Sequence, residues 1–286
     1  MNKTINAVTL KKYDKLIEIL KELNSVAVAF SGGVDSSFLL HTAKEALGEK
    51  VMAITVIASM VPEQEQQRAV QMAKETGVYH RLMPGNEEAE PRIAENSPER
   101  CYYCKRHLFT MMKAMTEEEG FAYLVDGTNA DDASDYRPGR KALKELQIRS
   151  PLEEAGLTKD EIRQLSKEAG LSTWNLPAMA CLASRIPYGT QITAEKLRRI
   201  ESCEAFLLEL GYREFRVRDH GEVARIELGY SEMPGFLRSG GHQEEIIRHF
   251  KVAGFKYISL DLEGYRTGSM NEGKWKVESG KWKVES

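Results

Sequence analysis

The segment from Val26 to Leu40, with the sequence VAVAFSGGVDSSFLL, constrains the fold more than any other part of the chain. Val26 to Phe30 form a short, continuous apolar run, which is typical of a strand buried on both faces of a parallel sheet. The residues that follow predict a tight glycine turn and then a helix that contains Phe38, Leu39 and Leu40. The segment therefore predicts a strand, a glycine loop and a helix in direct succession.

This glycine loop has the properties of a phosphate-binding site. Gly32 and Gly33 let the backbone approach an anion closely, and the helix start directs N–H groups and the positive end of the helix dipole at the same point. Ser31, Asp35 and Ser36 complete the candidate site, with Asp35 as the expected magnesium contact. The pattern G-x-x-x-x-G-K-[ST] is absent, so the loop carries no lysine for a terminal phosphate. This excludes the usual motif of kinases and motor ATPases.

Apolar runs and helical repeats alternate along the first part of the chain. Further strands are expected near residues 51–56, 78–83 and 122–125, with helices between them. Strands that alternate with helices predict an α/β fold with a doubly wound parallel sheet, whose ligands bind at the carboxyl ends of the strands.

The pattern changes after about residue 190, where a helix, two strands in a predicted antiparallel hairpin, a second helix and a last strand follow. This indicates a smaller C-terminal α/β domain. The heptapeptide GKWKVES at the end of the chain occurs twice in succession, so we interpret it as an expression scar or an unstructured tail. The predicted organisation is a nucleotide domain at 1–190, a substrate or oligomerisation domain at 191–272 and a tail at 273–286.

Composition narrows the class of protein. The 286 residues carry a net charge of −3 and have a pI near 6.2, which gives no general affinity for nucleic acid. No apolar run reaches 18 residues and no signal peptide is visible, so we expect a soluble, cytoplasmic protein without a membrane partner. A homo-oligomer is also expected.

The four cysteines fit ligands or reactive thiols better than disulfides in such a protein. Cys101 and Cys104 form a C-x-x-C at a helix start, a pattern that a redox pair, a zinc site or chance would equally produce. Cys181 lies in an irregular apolar loop at 174–193, whereas Cys203 falls on an apolar helical face and is predicted to be a core thiol. Three candidate ligands are one short of a Cys₄ set. We therefore hypothesise a [4Fe-4S] cluster on Cys101, Cys104 and Cys181, with one iron open to hydrosulfide.

Two further segments carry candidate site residues. The predicted strand at 122–125 runs into Asp126 and Gly127, followed by Asp131 and Asp132; this turn is either a solvated acidic loop or a contact to magnesium or ribose. The irregular loop at 174–193 also holds Ser184 and Arg185, and irregular loops inside compact proteins are often functional.

The residues Ser31-Gly32-Gly33-Val34-Asp35-Ser36 resemble the S-G-G-x-D-S signature of the PP-loop ATP pyrophosphatases, which cleave ATP between its α and β phosphates. Together with other segments, they resemble one subfamily, the ATP-dependent sulfurtransferases that thiolate pyridinium-3,5-biscarboxylic acid mononucleotide during synthesis of the nickel-pincer cofactor of lactate racemase. The resemblance implies an adenine nucleotide alpha hydrolase-like fold. The other matching segments are Asp126-Gly127, Asp135 to Gly139, Trp174-Asn175, Cys181, Ser184-Arg185, Pro187 to Thr190, Val217-Arg218, Ala224 to Leu228, Leu260 to Leu262, Gly264 and Arg266.

In that subfamily a substrate carboxylate is adenylated, pyrophosphate leaves, and sulfur then replaces AMP. One branch uses a single cysteine, at the position of Cys181, which gives up its own sulfur and becomes dehydroalanine. This chain adds Cys101 and Cys104, which favours the cluster-dependent branch.

Arginines are the candidate clamps for a substrate that bears one phosphate and two carboxylates, because a guanidinium binds both groups in a bidentate manner. Glu204 and Glu227 match acidic positions of the subfamily and are expected either to hold a metal or to orient the arginines. The candidate arginines are Arg185, Arg216, Arg218 and Arg266.

Three alternatives stay open at this point. A tRNA thiolation enzyme would share the loop and the cysteines, although the mild acidity of the chain disfavours it. An amidotransferase-like synthetase would share the loop but would not need three cysteines. A non-catalytic nucleotide-binding protein would use the cysteines for structural zinc.

Overall fold

The computed structural model describes residues 5–134, 138–177, 180–238, 242–266, 275–278 and 281–284. Asp135, Tyr136 and Arg137, which belong to one of the matching segments, lie outside the described residues. The helices are α1 (Ala7–Leu23), α2 (Val34–Leu47), α3 (Glu63–Thr76), α4 (Pro91–Ala94), α5 (Arg100–Glu118), α6 (Pro138–Glu145), α7 (Pro151–Ala155), α8 (Lys159–Glu168), α9 (Ala194–Glu209), α10 (Met233–Leu237) and α11 (Gln243–Val252). The strands are β1 (Val26–Ala29), β2 (Val51–Ile57), β3 (Tyr79–Pro84), β4 (Tyr123–Val125), β5 (Phe215–His220), β6 (Val223–Leu228), β7 (Tyr257–Leu260), β8 (Trp275–Glu278) and β9 (Lys281–Val284).

The first compact unit, which ends at Cys181, is built on a parallel sheet of four strands in the order β3-β2-β1-β4. Val26 pairs with Val51 on one side and with Tyr123 on the other, so β1 is central. All four predicted strands form, and the predicted doubly wound α/β class is confirmed.

Both faces of the central strand are covered, which explains why β1 and most of β2 are apolar and buried. Val26 and Val28 of β1 pack into a core with α1, α2, α7 and α8, whereas Ala27 packs into a second core with α5 and α6. Successive side chains of a strand point to opposite faces, so the two cores lie on opposite sides of the sheet. The central strand therefore holds the glycine loop at its carboxyl end within a rigid, doubly covered layer.

The two site-bearing helices α2 and α8 begin in different ways. At α8, the Thr158 side chain accepts a hydrogen bond from the Glu161 N–H, and the Glu161 carboxylate accepts one from the Thr158 N–H. This capping box fixes the start of α8 at Thr158. Helix α2 begins after Gly33 without a side-chain cap, which leaves its first-turn N–H groups available to a ligand.

The second compact unit begins at Leu182, a few residues before the boundary expected from the sequence. Its sheet has the order β5-β6-β7, in which β5 and β6 form the expected antiparallel hairpin and β7 runs parallel to β6. Cys203 is fully buried in the core of this unit, as its place on an apolar helical face predicted.

The repeated heptapeptide at the end of the chain differs from the expected unstructured tail. Its described residues form strands β8 and β9, which pair antiparallel with Trp275 opposite Val284. Two copies of one alternating apolar and polar pattern joined by a serine and a glycine can pair with each other, which accounts for the hairpin.

Within the described ranges of the chain, no helix combines the length and the apolar character that crossing a membrane requires.

Candidate functional site

Backbone geometry makes Gly32 irreplaceable in the glycine loop. Its φ of +70° lies in the left-handed region that side chains disfavour, and a Cβ there would lie 2.9 Å from the Cα of Ala69 on α3. The loop therefore passes too close to α3 for any side chain. This close passage restricts the conformation of the loop.

Hydrogen bonds connect the two ends of the loop. The Ser31 N–H donates to Ser36 Oγ at 3.3 Å, and the two hydroxyls lie 3.2 Å apart. Gly127, at the end of β4, approaches the same point, because a Cβ there would lie 3.1 Å from the Ser36 nitrogen. The carboxyl ends of β1 and β4 thus meet at the start of α2, as the strand order predicts for a ligand site.

A cavity of about 700 Å³ opens at this point, within the size range of nucleotide and cofactor sites. The lining includes the apolar residues Ile54, Phe109 and Met112, which suit a base, as well as the glycine loop and charged side chains. The charged residues that line the cavity are Asp35, Glu65, Lys105, Asp126, Asp131, Asp132, Arg140 and Lys159.

Asp126 lines this cavity, but its carboxylate already accepts hydrogen bonds from other residues of the protein. One oxygen accepts from the Ser150 hydroxyl at 2.5 Å and from the Thr128 N–H at 3.3 Å, and the other accepts from the Thr128 hydroxyl at 2.5 Å. The residue is buried. Its geometry supports the loop after β4, and its predicted ligand role stays a prediction.

Asp35, the expected magnesium contact, forms an ion pair with Lys159 of α8. Among the described residues, none donates a hydrogen bond to its other oxygen, Oδ1, which is buried. Burial raises the pKa of Asp35, and the Lys159 ammonium opposes that rise. A buried carboxylate oxygen beside the glycine loop suits a hard cation such as Mg²⁺, and the magnesium contact of Asp35 stays a prediction. Lys159 could not be identified as a site residue from the sequence, because the residues around it indicate only the start of a helix.

Three of the four cysteines belong to the first unit. Cys181 lines the cavity, and Cys101 and Cys181 are exposed thiols. Burial raises the pKa of the Cys104 thiol to about 12, and the charges of Cys181 and Cys101 add to this effect. The three thiols are thus close enough to influence one another. Among the described residues, however, no three His, Cys, Asp or Glu side chains are arranged as ligands around one point.

The second unit contains a buried group of arginines and glutamates. Arg185 donates from Nε and Nη2 to the two oxygens of Glu204 at 3.0 and 2.9 Å, and from Nη1 to the Ser184 hydroxyl at 3.1 Å. Arg218 donates to Glu227 at 2.6 Å and to the Ser184 carbonyl at 3.0 Å. The predicted residues are therefore brought together.

The two glutamates of this group are engaged by other protein groups. Glu204 also accepts from the Val217 N–H at 3.0 Å, and Glu227 accepts from Arg225 at 3.0 Å. Of the two roles expected for Glu204 and Glu227, this geometry favours orientation of the arginines. Their role as metal ligands stays a prediction.

Arg216 differs from Arg185 and Arg218. Its guanidinium donates to the Phe215 carbonyl at 2.6 Å and lies 5.0 Å from the centre of the Tyr265 ring. Burial lowers the pKa of Arg216, and the neighbouring Arg185 charge lowers it further. The surroundings of Arg216 thus disfavour its charged form, and an anionic ligand beside the guanidinium would favour that form. Arg266 is the last residue of the described range 242–266 and pairs with Glu263 at 2.9 Å.

Comparison with known proteins agrees with this geometry. A family model described as a PP-loop domain matches residues 5–136. Pyridinium-3,5-bisthiocarboxylic acid mononucleotide synthase of Lactiplantibacillus plantarum is 35% identical over 92% of this chain and 95% of its own length. The chain belongs to the PP-loop ATP pyrophosphatases. Within them it is an enzyme of the sulfurtransferase type that includes this synthase.

Two other PP-loop relatives also match along nearly their whole length. An uncharacterised protein of Synechocystis is 40% identical over 91% of this chain and 97% of its own length. An uncharacterised protein of Methanocaldococcus jannaschii is 32% identical over 91% of this chain and 99% of its own length. The similarity therefore extends over both units of this PP-loop enzyme.

Substituting Gly32 by alanine should destabilise the protein by more than the unfavourable backbone angle alone would. We expect Gly32→Ala to lower the free energy of unfolding by about 3 kcal/mol and to abolish ATP binding, because a positive φ and a clash with Ala69 act together. Gly77→Ala is the matched control: φ is +64° and a Cβ would meet nothing within 4 Å, so the loss should be about 1 kcal/mol. Urea unfolding measures both, and equal losses would contradict the close approach.

The Arg185–Glu204 pair gives a second prediction. Glu204→Gln should lower the free energy of unfolding by about 3 kcal/mol, because it leaves the nearly inaccessible Arg185 charge without its carboxylate. Glu209→Gln on the exposed face of the same helix should change it by less than about 0.5 kcal/mol. Urea unfolding compares the two variants. A small loss for Glu204→Gln would mean that solvent screens the pair.

Proposed function

We propose that this enzyme thiolates pyridinium-3,5-biscarboxylic acid mononucleotide, using ATP to activate a carboxylate of that substrate. The observation that carries the proposal is that Cys181 lines the same cavity as the glycine loop. A sulfur-bearing residue beside the phosphate site suits a reaction in which sulfur displaces a nucleotide. The synthase of L. plantarum, which matches along the full length, supports the choice of substrate class.

The chemistry proceeds in two displacements. An oxygen of the substrate carboxylate attacks the α-phosphorus of ATP, the bond to the β-phosphate oxygen breaks, and pyrophosphate leaves. The acyl adenylate that results has a good leaving group where the carboxylate had none. Hydrosulfide sulfur then attacks the acyl carbon, the bond to AMP breaks, and a thiocarboxylate, AMP and one proton are released. No electron is gained or lost in either step.

The residues of the first unit suit the first displacement. The N–H groups of the glycine loop and of α2 bind phosphate oxygens, and the apolar wall of the cavity takes the base. Asp35 would hold Mg²⁺ through its buried Oδ1, to which no described residue donates a hydrogen bond. Such a cation screens the negative charge of the phosphates.

The second unit supplies the cations for the substrate phosphate and carboxylates. Arg216 is the first choice, since burial and the neighbouring Arg185 leave its positive charge poorly compensated. Arg218 and Arg185 are oriented by their glutamates, and Arg266 is the fourth predicted clamp. These roles follow from charge and from the resemblance of their segments to the sulfurtransferases.

We further propose that Cys101, Cys104 and Cys181 hold a [4Fe-4S] cluster. The three cysteines belong to one unit, and a cation would replace the proton that the high pKa keeps on Cys104. When bound, the cluster supplies an open iron that can carry sulfur. In its absence Cys104 stays protonated at neutral pH.

The proposed function is tested with anaerobically purified protein, ATP, the pyridinium mononucleotide and sulfide. Mass spectrometry should detect a thiocarboxylate, which gains about 16 mass units for each oxygen replaced by sulfur, with AMP formed in equal amount. Iron and sulfide analysis of the same sample should give about four of each per chain. Zinc without iron, and no AMP with any carboxylate, would favour a non-catalytic nucleotide-binding protein instead.

A further inference from the structure

An arginine of α8 holds the segment of the chain that leads to Cys181. Arg163 Nη1 donates to the Trp174 carbonyl at 2.8 Å, and Nη2 donates to the Leu176 carbonyl at 2.7 Å. The N–H groups of a guanidinium form a rigid, planar fork, so one side chain binds two carbonyls in a fixed geometry. Hydrogen bonds from a charged donor are also stronger than those between neutral groups. Arg163 therefore restricts the path of the backbone between these two residues.

The bond to Leu176 acts on the chain just before it reaches the cavity, which Pro177, Ala180 and Cys181 line. The Leu176 carbonyl belongs to the planar peptide bond with Pro177, and the proline ring fixes the next φ angle. The Leu176 side chain also packs against the core that β1 shares with α1, α2 and α8. The direction in which the chain leaves Leu176 is thus set by two independent contacts.

The same face of α8 also lies beside the glycine loop. Burial raises the pKa of Asp35, whereas the charge of Lys159 and, more weakly, that of Arg163 lower it. Lys159 and Arg163 are four residues apart, so their side chains are neighbours on the helix. One helix face therefore contacts both the glycine loop and the segment before Cys181.

We propose that Arg163 is a positioning residue for sulfur transfer, which holds the backbone before Cys181 so that the thiol lies beside the glycine loop, where the adenylate forms. It acts through the Trp174 and Leu176 carbonyls and takes no part in the adenylation itself. The inference rests on the proposed function, because that function assigns Cys181 to the sulfur step.

Single-turnover kinetics of Arg163→Met with ATP, the pyridinium mononucleotide and sulfide test this role. The rate of pyrophosphate release should stay within about twofold, and that of thiocarboxylate formation should fall by about 100-fold, the usual effect of displacing a reacting group by about 1 Å. An equal fall of both rates would show a merely structural effect and overturn the proposal. Undiminished thiocarboxylate formation would overturn it as well.

Arg163→Lys separates the charge of the guanidinium from its two bonds. Lysine keeps a cation near Asp35, but its single ammonium nitrogen lacks the fork that binds both carbonyls. Thiocarboxylate formation should therefore stay at least about 10-fold below that of the wild type, the value of one lost charged hydrogen bond. Full activity of Arg163→Lys would mean that only the charge matters and would overturn the proposal. Should Arg163→Met not fold, Arg163→Lys decides on the same two rates.

Lys167→Met is the matched control. Lys167 is an exposed residue of the same helix, and its ammonium lies 4.7 Å from the centre of the Trp174 ring, so it contacts the side chain of this residue and not its carbonyl. The variant should change neither rate by more than about twofold. A loss of thiocarboxylate formation as large as that of Arg163→Met would contradict a role for the two carbonyl bonds.

Alkylation of the thiols gives a readout that does not depend on turnover. Protein prepared without iron is treated with iodoacetamide, and the peptides of Cys181 and Cys101, both exposed thiols, are quantified by mass spectrometry. Arg163→Met should change the ratio of the two alkylation rates severalfold, because only the segment before Cys181 loses its anchor. An unchanged ratio would overturn the proposal. Wild-type protein that forms no thiocarboxylate would contradict the proposed function, whereas this ratio would still decide the role of Arg163.

Discussion

Cys181→Ala is expected to abolish thiocarboxylate formation while the enzyme still releases pyrophosphate from ATP in the presence of substrate. Cys181 lines the cavity, whereas the groups proposed to bind the phosphates belong to the glycine loop and to α2. Removing the thiol takes away the sulfur chemistry without touching the groups that form the adenylate. We expect the rate of thiocarboxylate formation to fall by on the order of 10³-fold or more. Parallel assays of pyrophosphate and of thiolated product measure the two steps.

Cys203→Ala is the matched control, because Cys203 is a fully buried thiol of the second core and lies outside the proposed site. It should leave the rate of thiocarboxylate formation within about twofold and cost only a modest loss of stability. Undiminished sulfur transfer by Cys181→Ala would remove Cys181 from the mechanism. Loss of pyrophosphate release by the same variant would place the residue in the first step instead.

Arg216→Met is expected to lower kcat/KM for the pyridinium substrate by about 100-fold or more while the thermal midpoint does not fall. The pKa of Arg216 is lowered by burial and by Arg185, which means that folding disfavours its charged form. Removing the cation relieves that penalty in the folded protein. The same removal deletes charged hydrogen bonds to the substrate, each worth about 1.5–3 kcal/mol. Steady-state kinetics and thermal unfolding separate the two effects.

Arg213→Met provides the comparison, since Arg213 is an exposed arginine just before the same strand. It should change kcat/KM by less than about twofold. If Arg216→Met lowered stability and left kcat/KM unchanged, the residue would be a structural cation stacked on Tyr265. If both variants lowered kcat/KM equally, general surface charge would explain the effect.

Features that depend on neighbouring residues could be predicted from the sequence. The apolar run before Ser31, the glycines after it and the helix that follows are set by local hydrophobicity and backbone freedom, and all three form as expected. The cap at Thr158 and the burial of Cys203 also follow from short-range patterns. The alternation of strands and helices is also a local pattern, so it was sufficient to predict the fold class.

Features that depend on distant residues could not be predicted in this way. Lys159 meets Asp35 only because α8 packs beside the start of α2, and no local pattern contains that contact. The engagement of Asp126 by Ser150 likewise depends on the bridge between Val125 and Arg149. The hairpin of the repeated heptapeptide depends on pairing between its two copies. Tertiary packing decided each of these cases.

Transfer of labelled oxygen tests the central claim, activation of a carboxylate as its adenylate, most directly. The enzyme is incubated with ATP, sulfide and substrate whose carboxylates carry ¹⁸O, and the products are analysed by mass spectrometry. Adenylation followed by attack at the acyl carbon leaves one substrate oxygen on the phosphate of AMP, so one ¹⁸O per AMP is predicted. Unlabelled AMP, or ¹⁸O found in pyrophosphate instead, would contradict the account.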